Sequence, residues 1–273
     1  MSTVRRLIRG VLRGLGFDGA RLGRYLLLMP LAGAGEDPIA SEPLERYLFE
    51  RRLGVVLQKL RINCVLDVGA NRGQYGLALR QMGYSGHIVS FEPVRDAWET
   101  LRTVASRDHK WTTHHLALGA ANSRAPMHVA AGSDFSSFLV PTAYSLERFP
   151  ASAPVEHVEN VEVCRLDHLL ASVTSHIERP RFFLKMDTQG YDLQVFAGAQ
   201  GVVDRLLGLQ SELAVVPLYE HIPTMLAELR AYQAAGFEVS ELAPVSRDPS
   251  TARVLEYDCL MLRIGALHLH ESG

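Results

Sequence analysis

Apolar residues along most of the chain follow two alternating patterns. Short, nearly continuous apolar runs are typical of strands buried on both faces. The segments between them carry apolar residues three or four positions apart, as a helix packed on one face does. From Asn63 onward this alternation predicts parallel strands joined by helices that cover both faces of one sheet. The predicted strands span residues 64–68, 87–91, 111–118, 182–186 and 209–215, and the predicted helices span residues 74–82, 95–105, 193–199 and 224–235.

The two ends of the chain depart from this alternation. Residues 1–60 predict an N-terminal helical extension, in which arginines interleave with apolar residues near the start and a second helix spans residues 44–60. Residues 237–242 and 254–264 predict a terminal antiparallel hairpin around a loop at 243–249. The sequence therefore predicts a helical extension of residues 1–60 and an α/β domain of residues 61–273.

The turn after the first predicted strand is the clearest candidate for a ligand site. Gly69, Ala70 and Gly73 leave the backbone open to close approach, and the N–H groups of the following helix are unpaired. The spacing lacks the G-x-G-x-x-G pattern that cradles a pyrophosphate. Asp67 at the strand end would repel a pyrophosphate, whereas it suits a ligand with an ammonium and a sulfonium group.

A second carboxylate, Glu92, follows the next apolar run. A carboxylate at that strand end can accept hydrogen bonds from both ribose hydroxyls of a nucleoside. Together with Asp67 it indicates S-adenosylmethionine as the cofactor. Ligands of such sheets bind beyond the carboxyl ends of the strands, where Leu118, Asp187 and Glu212 also fall.

Residues 65–73, 91–93, 184–191 and 210–213 resemble the motifs of the FkbM family of S-adenosylmethionine-dependent methyltransferases. The resemblance extends over residues 55–264. It implies a Rossmann-like, seven-stranded class I methyltransferase sheet with helices on both faces. It also implies O-methylation of a sugar, a glycolipid or polysaccharide, or a glycosylated natural product. We expect the cofactor to contact Asp67, Gly69, Ala70, Asn71, Gly73, Tyr75, Glu92, Pro93, Leu118 and Ser136.

Methyl transfer to an aliphatic hydroxyl needs a general base, a metal ion, or both. Asp187 follows a buried strand and is the first candidate for the base, although it could instead cap the next helix. Glu212 interrupts an apolar strand, so it needs a partner, a metal or a ligand. His221 follows in the next loop, where a solvated histidine is the alternative. Asp187 and Glu212 could bind Mg²⁺ together, but their spacing is not diagnostic.

Between the predicted short strands 127–130 and 161–166 lies an irregular insert, residues 131–160. A long loop inside a compact domain is usually functional or mobile. We expect this insert to cover the cofactor and to shape the acceptor pocket.

Composition and charge limit which classes of partner and which cellular compartment we expect. The formal net charge is −2 and no basic stripe occurs, which disfavours nucleic acid as a partner. Cys64, Cys164 and Cys259 are distant from one another and predict reduced thiols in a cytoplasmic protein. No run reaches the ~20 apolar residues of a membrane span. The N-terminal helix could pack on the catalytic domain or a second subunit, or contact a membrane surface or lipid-linked substrate.

Two alternatives to a methyltransferase remain open. One is a non-catalytic nucleotide-binding or scaffold protein that keeps the fold without the chemistry. The other is an NAD-dependent oxidoreductase, because Glu92 could hold an NAD ribose as well. The missing G-x-G-x-x-G pattern and the acid at Asp67 argue against the second.

Overall fold

A computed structural model describes residues 11, 17–22, 25–30, 42–248, 250–263 and 265. The chain divides into two compact units, residues 1–41 and 42–273. In the first unit, β1 (Phe17–Leu22) and β2 (Tyr25–Pro30) pair as antiparallel strands. This differs from the predicted helical extension, because a short apolar run fits a strand as well as a helix. The predicted basic helix near the N-terminus falls almost entirely outside the described residues.

The second unit contains a seven-stranded sheet, and the predicted α/β fold is confirmed. Four neighbouring strand pairs are parallel, and only the strand before the edge runs antiparallel to both of its neighbours. The strands in spatial order are β11 (Phe237–Arg247), β12 (Val254–Arg263), β10 (Leu206–Ala214), β9 (Phe182–Met186), β3 (Cys64–Val68), β4 (His87–Phe91) and β5 (Trp111–His114).

Helices cover both faces of this sheet, so successive strand residues point into two separate cores. Leu66 and Leu184 face one core, and Val65 and Phe183 face the other. The first core is completed by α5 (Leu166–Val173), α6 (Asp192–Ala197) and α7 (Met225–Ala234), and the second by α1 (Glu42–Lys59), α2 (Gln74–Gln81) and α3 (Arg95–Ala105). Among the described residues, none of the helices has the length and apolar character needed to cross a bilayer.

A small three-stranded sheet includes the last residues of the predicted insert in one of its strands. It consists of β6 (Ala117–Leu118), β8 (Val155–Cys164) and β7 (Ser123–Ala130), in that spatial order. Because β8 begins at Val155, the irregular segment is shorter than predicted and contains its own helix, α4 (Ala143–Arg148). The predicted strand 111–118 is also divided, into β5 and β6.

The terminal hairpin is longer than the sequence indicates. β11 continues to Arg247 through residues predicted to be a loop, and its pairing with β12 shifts register near Pro244. Proline lacks the N–H that a strand ladder requires, so its presence suggested a loop, whereas an irregular edge strand accommodates it. α1 packs on β11 and is tied to it by an ion pair between Arg247 and Glu45 at 3.2 Å.

Candidate functional site

The turn between β3 and α2 is held by backbone contacts to the end of β4. The N–H groups of Gly69 and Ala70 both donate to the carbonyl oxygen of Phe91, at 3.1 Å each. Gly69 has a φ of +71°, and a Cβ at this position would lie 1.9 Å from the carbonyl oxygen of Asp187. Glycine is therefore required here, and the turn lies directly against the loop that follows β9.

Below this turn, a buried lysine joins two carboxylates. Nζ of Lys185 lies 3.3 Å from Oδ1 of Asp67 and 3.4 Å from Oδ2 of Asp187, and it donates to the carbonyl oxygen of Gly69 at 3.0 Å. Burial alone would lower the pKa of Lys185, but the carboxylates of Asp187 and Asp67 outweigh it and raise that pKa. The other oxygen of Asp67 accepts from the hydroxyl of Ser90 at 2.9 Å. Lys185 is thus a charged residue that fixes the turn to the β9 loop.

Glu92 closes the opposite side of the turn. Its two carboxylate oxygens accept from the N–H of Asn71 and of Val94, each at 2.8 Å. Burial raises the pKa of Glu92 to about 7 in spite of these amide donors. Among the described residues, Oδ1 of Asn71 is buried without a hydrogen-bond partner. Pro93 is buried beside Glu92. An unpaired acceptor and a carboxylate at one turn suit a ligand that carries hydroxyl or ammonium donors.

The remaining predicted cofactor residues differ in their surroundings. Gly73 precedes α2 with a φ of +94°. The ring of Tyr75 lies 5.2 Å from Nζ of Lys185, and its hydroxyl donates to Oε1 of Gln210 at 2.9 Å. Leu118 is buried in the core. Ser136 is also buried, and its hydroxyl accepts from the N–H of Ala130 at 3.2 Å.

Two of the three predicted catalytic residues are brought together. Nε2 of Gln189 donates to Oδ1 of Asp187 at 3.1 Å and to Oε2 of Glu212 at 3.0 Å. The side chain of Asp187 is 42% exposed, so its carboxylate is open to an incoming molecule. Glu212 is half-buried, and burial raises its pKa well above the usual range, with Glu256 adding to the effect. The partner that the sequence required for Glu212 is therefore an amide.

His221 is the third predicted catalytic residue. It is exposed in the loop after β10 and has a φ of +60°. None of the hydrogen bonds found among the described residues joins its side chain to Asp187 or Glu212.

The arrangement does not favour a metal ion. In the part of the chain that the structure describes, no three His, Cys, Asp or Glu side chains are grouped so that they could hold one. Instead, Asp187 and Glu212 both accept hydrogen bonds from the side-chain N–H groups of Gln189, and an N–H donor does not bind a cation.

Several residues of the site were not predicted from sequence. Asp192 at the start of α6 accepts from the N–H of Thr188 at 2.9 Å and from the hydroxyl of Ser211 at 2.7 Å, which ties the β9 loop to β10. Lys185 and Gln189 were missed as well. The signal for Lys185 was a charged residue within an apolar strand, as it was for Glu212.

Comparisons with known proteins identify the family. The model of the methyltransferase FkbM domain matches residues 67–239, more than half of the chain. Comparison with curated proteins gives no significant match.

Solved structures give low-identity matches. Magnesium protoporphyrin IX methyltransferase from Synechocystis PCC 6803, with bound SAM, has 10% identity and a TM-score of 0.47, over 85% of each chain. An rRNA methylase from Streptococcus thermophilus has 11% identity and a TM-score of 0.42, over 81% of this chain and 96% of that one. Similarity this low says nothing about the acceptor. The family match is decisive: the chain belongs to the FkbM family of S-adenosylmethionine-dependent methyltransferases.

Proposed function

We propose that this methyltransferase acts on a hydroxyl group of a sugar, a glycolipid or polysaccharide, or a glycosylated natural product. The observation that carries the proposal is the carboxylate of Asp187, 42% exposed at the end of β9. Lys185 fixes one of its oxygens and Gln189 the other. A hydroxyl acceptor must lose a proton when it is methylated, so it needs an open and well-oriented base beside the cofactor.

The cofactor would lie over the turn after β3. Glu92 would accept hydrogen bonds from the ribose hydroxyls, and Oδ1 of Asn71 would accept one from a ligand donor. Gly69 and Ala70 would contribute through the shape of the turn, because the carbonyl oxygen of Asp187 fills the space beside Gly69 and Ala70 is buried. Because Asp67 is fully buried against Lys185, we propose that it acts by holding that lysine. The other proposed cofactor contacts are Gly73, Tyr75, Pro93, Leu118 and Ser136.

S-adenosylmethionine supplies a methyl group already activated by its sulfonium. As the acceptor oxygen took up this methyl group, the carboxylate of Asp187 would accept the hydroxyl proton, and the sulfonium would leave as a neutral thioether. Holding the two reactants in line can contribute ~7–11 kcal/mol to lowering the barrier. Glu212 would support Asp187 through Gln189. No step is assigned to His221 or to Mg²⁺.

Substitution of Asp187 tests this proposal. We expect Asp187→Asn to bind S-adenosylmethionine normally and to transfer labelled methyl to a panel of hydroxylated saccharides at least ~100-fold more slowly than wild type. Asp204→Asn is the matched control, because the side chain of Asp204 is 95% exposed. Full activity of the Asp187 variant would remove this residue from the mechanism.

Binding measurements separate the alternatives. Calorimetric titration with S-adenosylmethionine, S-adenosylhomocysteine and NAD should give micromolar binding of the first two and none of NAD. If neither adenosyl ligand binds, a scaffold protein without chemistry becomes the better interpretation. Binding of NAD alone would favour an oxidoreductase.

We also propose a cytoplasmic location and no nucleic-acid partner. All three cysteines are free, and burial raises the pKa of Cys64 and of Cys259 to about 12, so these two thiols stay protonated and unreactive. Contact of the N-terminal segment with a membrane or a lipid-linked acceptor, and self-association, remain proposals based on its sequence. Sedimentation with and without anionic vesicles would test both.

A further inference from the structure

Gln189 is held at both its backbone and its side chain. Its carbonyl oxygen accepts from the hydroxyl of Ser137 at 2.8 Å, so the irregular segment after β7 contacts it directly. Its backbone is left-handed, with a φ of +54°, which is uncommon for a residue with a side chain. Such a conformation persists only where the surroundings determine it.

The side-chain amide of Gln189 uses all of its main hydrogen-bonding groups. Nε2 donates to both Asp187 and Glu212. Oε1 accepts from the hydroxyl of Tyr219 at 2.8 Å. Tyr219 is 1% exposed, and its hydroxyl also lies 3.2 Å from the carbonyl oxygen of Phe135. A flipped amide would direct its oxygen at the oxygens of Asp187 and Glu212, so these two acidic side chains set the orientation, and the hydroxyl of Tyr219 satisfies Oε1.

The surroundings of Glu212 are acidic, and the donor that it has is the neutral amide of Gln189. The charged groups that act on Glu212 are Glu256, Asp187, Asp258 and Asp192, and all four are acidic. The nearby cation, Lys185, is engaged by Asp67 and Asp187. The N–H donors of Gln189 therefore lie between two acidic side chains and favour the ionised form of each, against the effect of burial on Glu212.

We propose that Gln189 is a positioning residue, which holds the carboxylate of Asp187 in place for proton removal while its amide is itself held by Glu212 and Tyr219. The catalytic part of this inference rests on the proposed function. The hydrogen-bonding part does not, because it concerns the two carboxylates in the protein without any acceptor.

Titration of Glu212 by carbon-13 NMR of labelled glutamate carboxyl groups tests the inference, with Glu212→Gln used to assign the signal. Loss of the amide donor in Gln189→Met should raise the pKa of Glu212 by about 1, since hydrogen bonds to the charged form favour it. Tyr219→Phe should raise it in the same direction by less. Gln194→Met is the matched control, because Gln194 is exposed on α6, and it should leave the titration unchanged.

An unchanged titration of Glu212 in folded Gln189→Met would overturn the inference. If that variant does not fold, the titration of Glu212 in Gln189→Asn tests the same point, because the shorter side chain should lose at least one of the two hydrogen bonds. Once an acceptor is found, these variants should lower kcat while the Kd for S-adenosylmethionine stays unchanged. A shifted titration in a protein that methylates no hydroxyl would refute the proposed function and leave the hydrogen-bonding role of Gln189 standing.

Discussion

Gly69 and Asp187 approach so closely that a Cβ on Gly69 would lie 1.9 Å from the carbonyl oxygen of Asp187. The N–H of Asp187 also donates to the carbonyl oxygen of Val68, at 3.2 Å. The turn after β3 and the loop after β9 therefore pack as one unit. The turn carries the proposed cofactor site, and the loop carries the open carboxylate of Asp187. Any displacement of the turn must displace the proposed base as well.

Gly69→Ala is expected to destabilise the fold by more than about 3 kcal/mol, because a backbone atom blocks the new methyl group and the φ of +71° is unfavourable for alanine. Gly83→Ala separates the two effects. Gly83 has a φ of +88° and nothing within 4 Å of its Cβ position, so we expect a cost of roughly 1–2 kcal/mol. Urea unfolding of both variants measures the difference. Equal costs would show that the contact with Asp187 contributes nothing.

Lys185→Met leaves the fully buried carboxylate of Asp67 without its cation. We expect a loss of about 3–5 kcal/mol in the free energy of unfolding at pH 7, because an uncompensated charge stays in the interior. Lys110→Met is the control, since the ammonium of Lys110 donates to the carbonyl oxygen of Ser85 at 3.1 Å in an exposed hydrogen bond. A loss below 1 kcal/mol in the Lys185 variant, measured by denaturant unfolding, would mean that Asp67 is stabilised by other groups.

The central strands could be predicted from sequence because they are buried on both faces. The pattern located β3, β4 and β9 at the residues where the structure has them, since a continuous apolar run leaves little choice of boundary. The first half of β8 could not be located in this way. Residues 155–160 are mostly exposed, and their apolar and polar residues do not alternate with the period of a strand, so they carry no burial signal.

The site could be predicted only where a residue carries its own signal. Asp67, Glu92, Asp187 and Glu212 are acids at strand ends, and the sequence alone identifies them as candidates. Gln189 gives no such signal, because its role depends on Tyr219 and Glu212, which are brought to it by the fold. His221 follows a strand at the carboxyl edge of the sheet, but the sequence does not determine which partners a loop side chain reaches, so its catalytic role stays a prediction.

Affinity for S-adenosylmethionine should depend on pH through Glu92. Burial raises the pKa of Glu92 to about 7, and hydroxyl groups of a ribose bind better to the ionised carboxylate than to the neutral acid. The affinity should therefore rise as pH increases through 7, and it should be about tenfold weaker at pH 6 than at pH 8. Calorimetric titration across this range measures it. In Glu92→Gln we expect weak binding with no such dependence, and an unaltered pH dependence in that variant would assign it to another group.

The buried Glu228 should make the free energy of unfolding depend on pH. This residue of α7 is 1% exposed, and among the described residues its Oε2 has no hydrogen-bond partner. Burial raises its pKa to about 9, with the charge of Asp192 adding to the effect. The folded protein therefore keeps this proton up to about pH 9, whereas the unfolded chain releases it near the ordinary value of 4.5. Because the folded state binds the extra proton, the contribution of Glu228 to the free energy of unfolding is fully present below pH 4.5 and is lost as pH rises toward 9.

Glu228→Gln keeps the shape of the side chain without the ionisation. We expect the variant to be more stable than wild type at pH 8 by more than about 1 kcal/mol, and to differ little at pH 5. Urea unfolding at both pH values measures this difference. Glu238→Gln is the control, because Glu238 is exposed and its charge is already solvated in the fold. If the stabilities of wild type and Glu228→Gln fall in parallel between pH 5 and pH 8, the prediction is wrong. Glu228 would then be ionised in the folded protein, and a hydrogen-bond donor would have to reach its carboxylate through a rearrangement of α7.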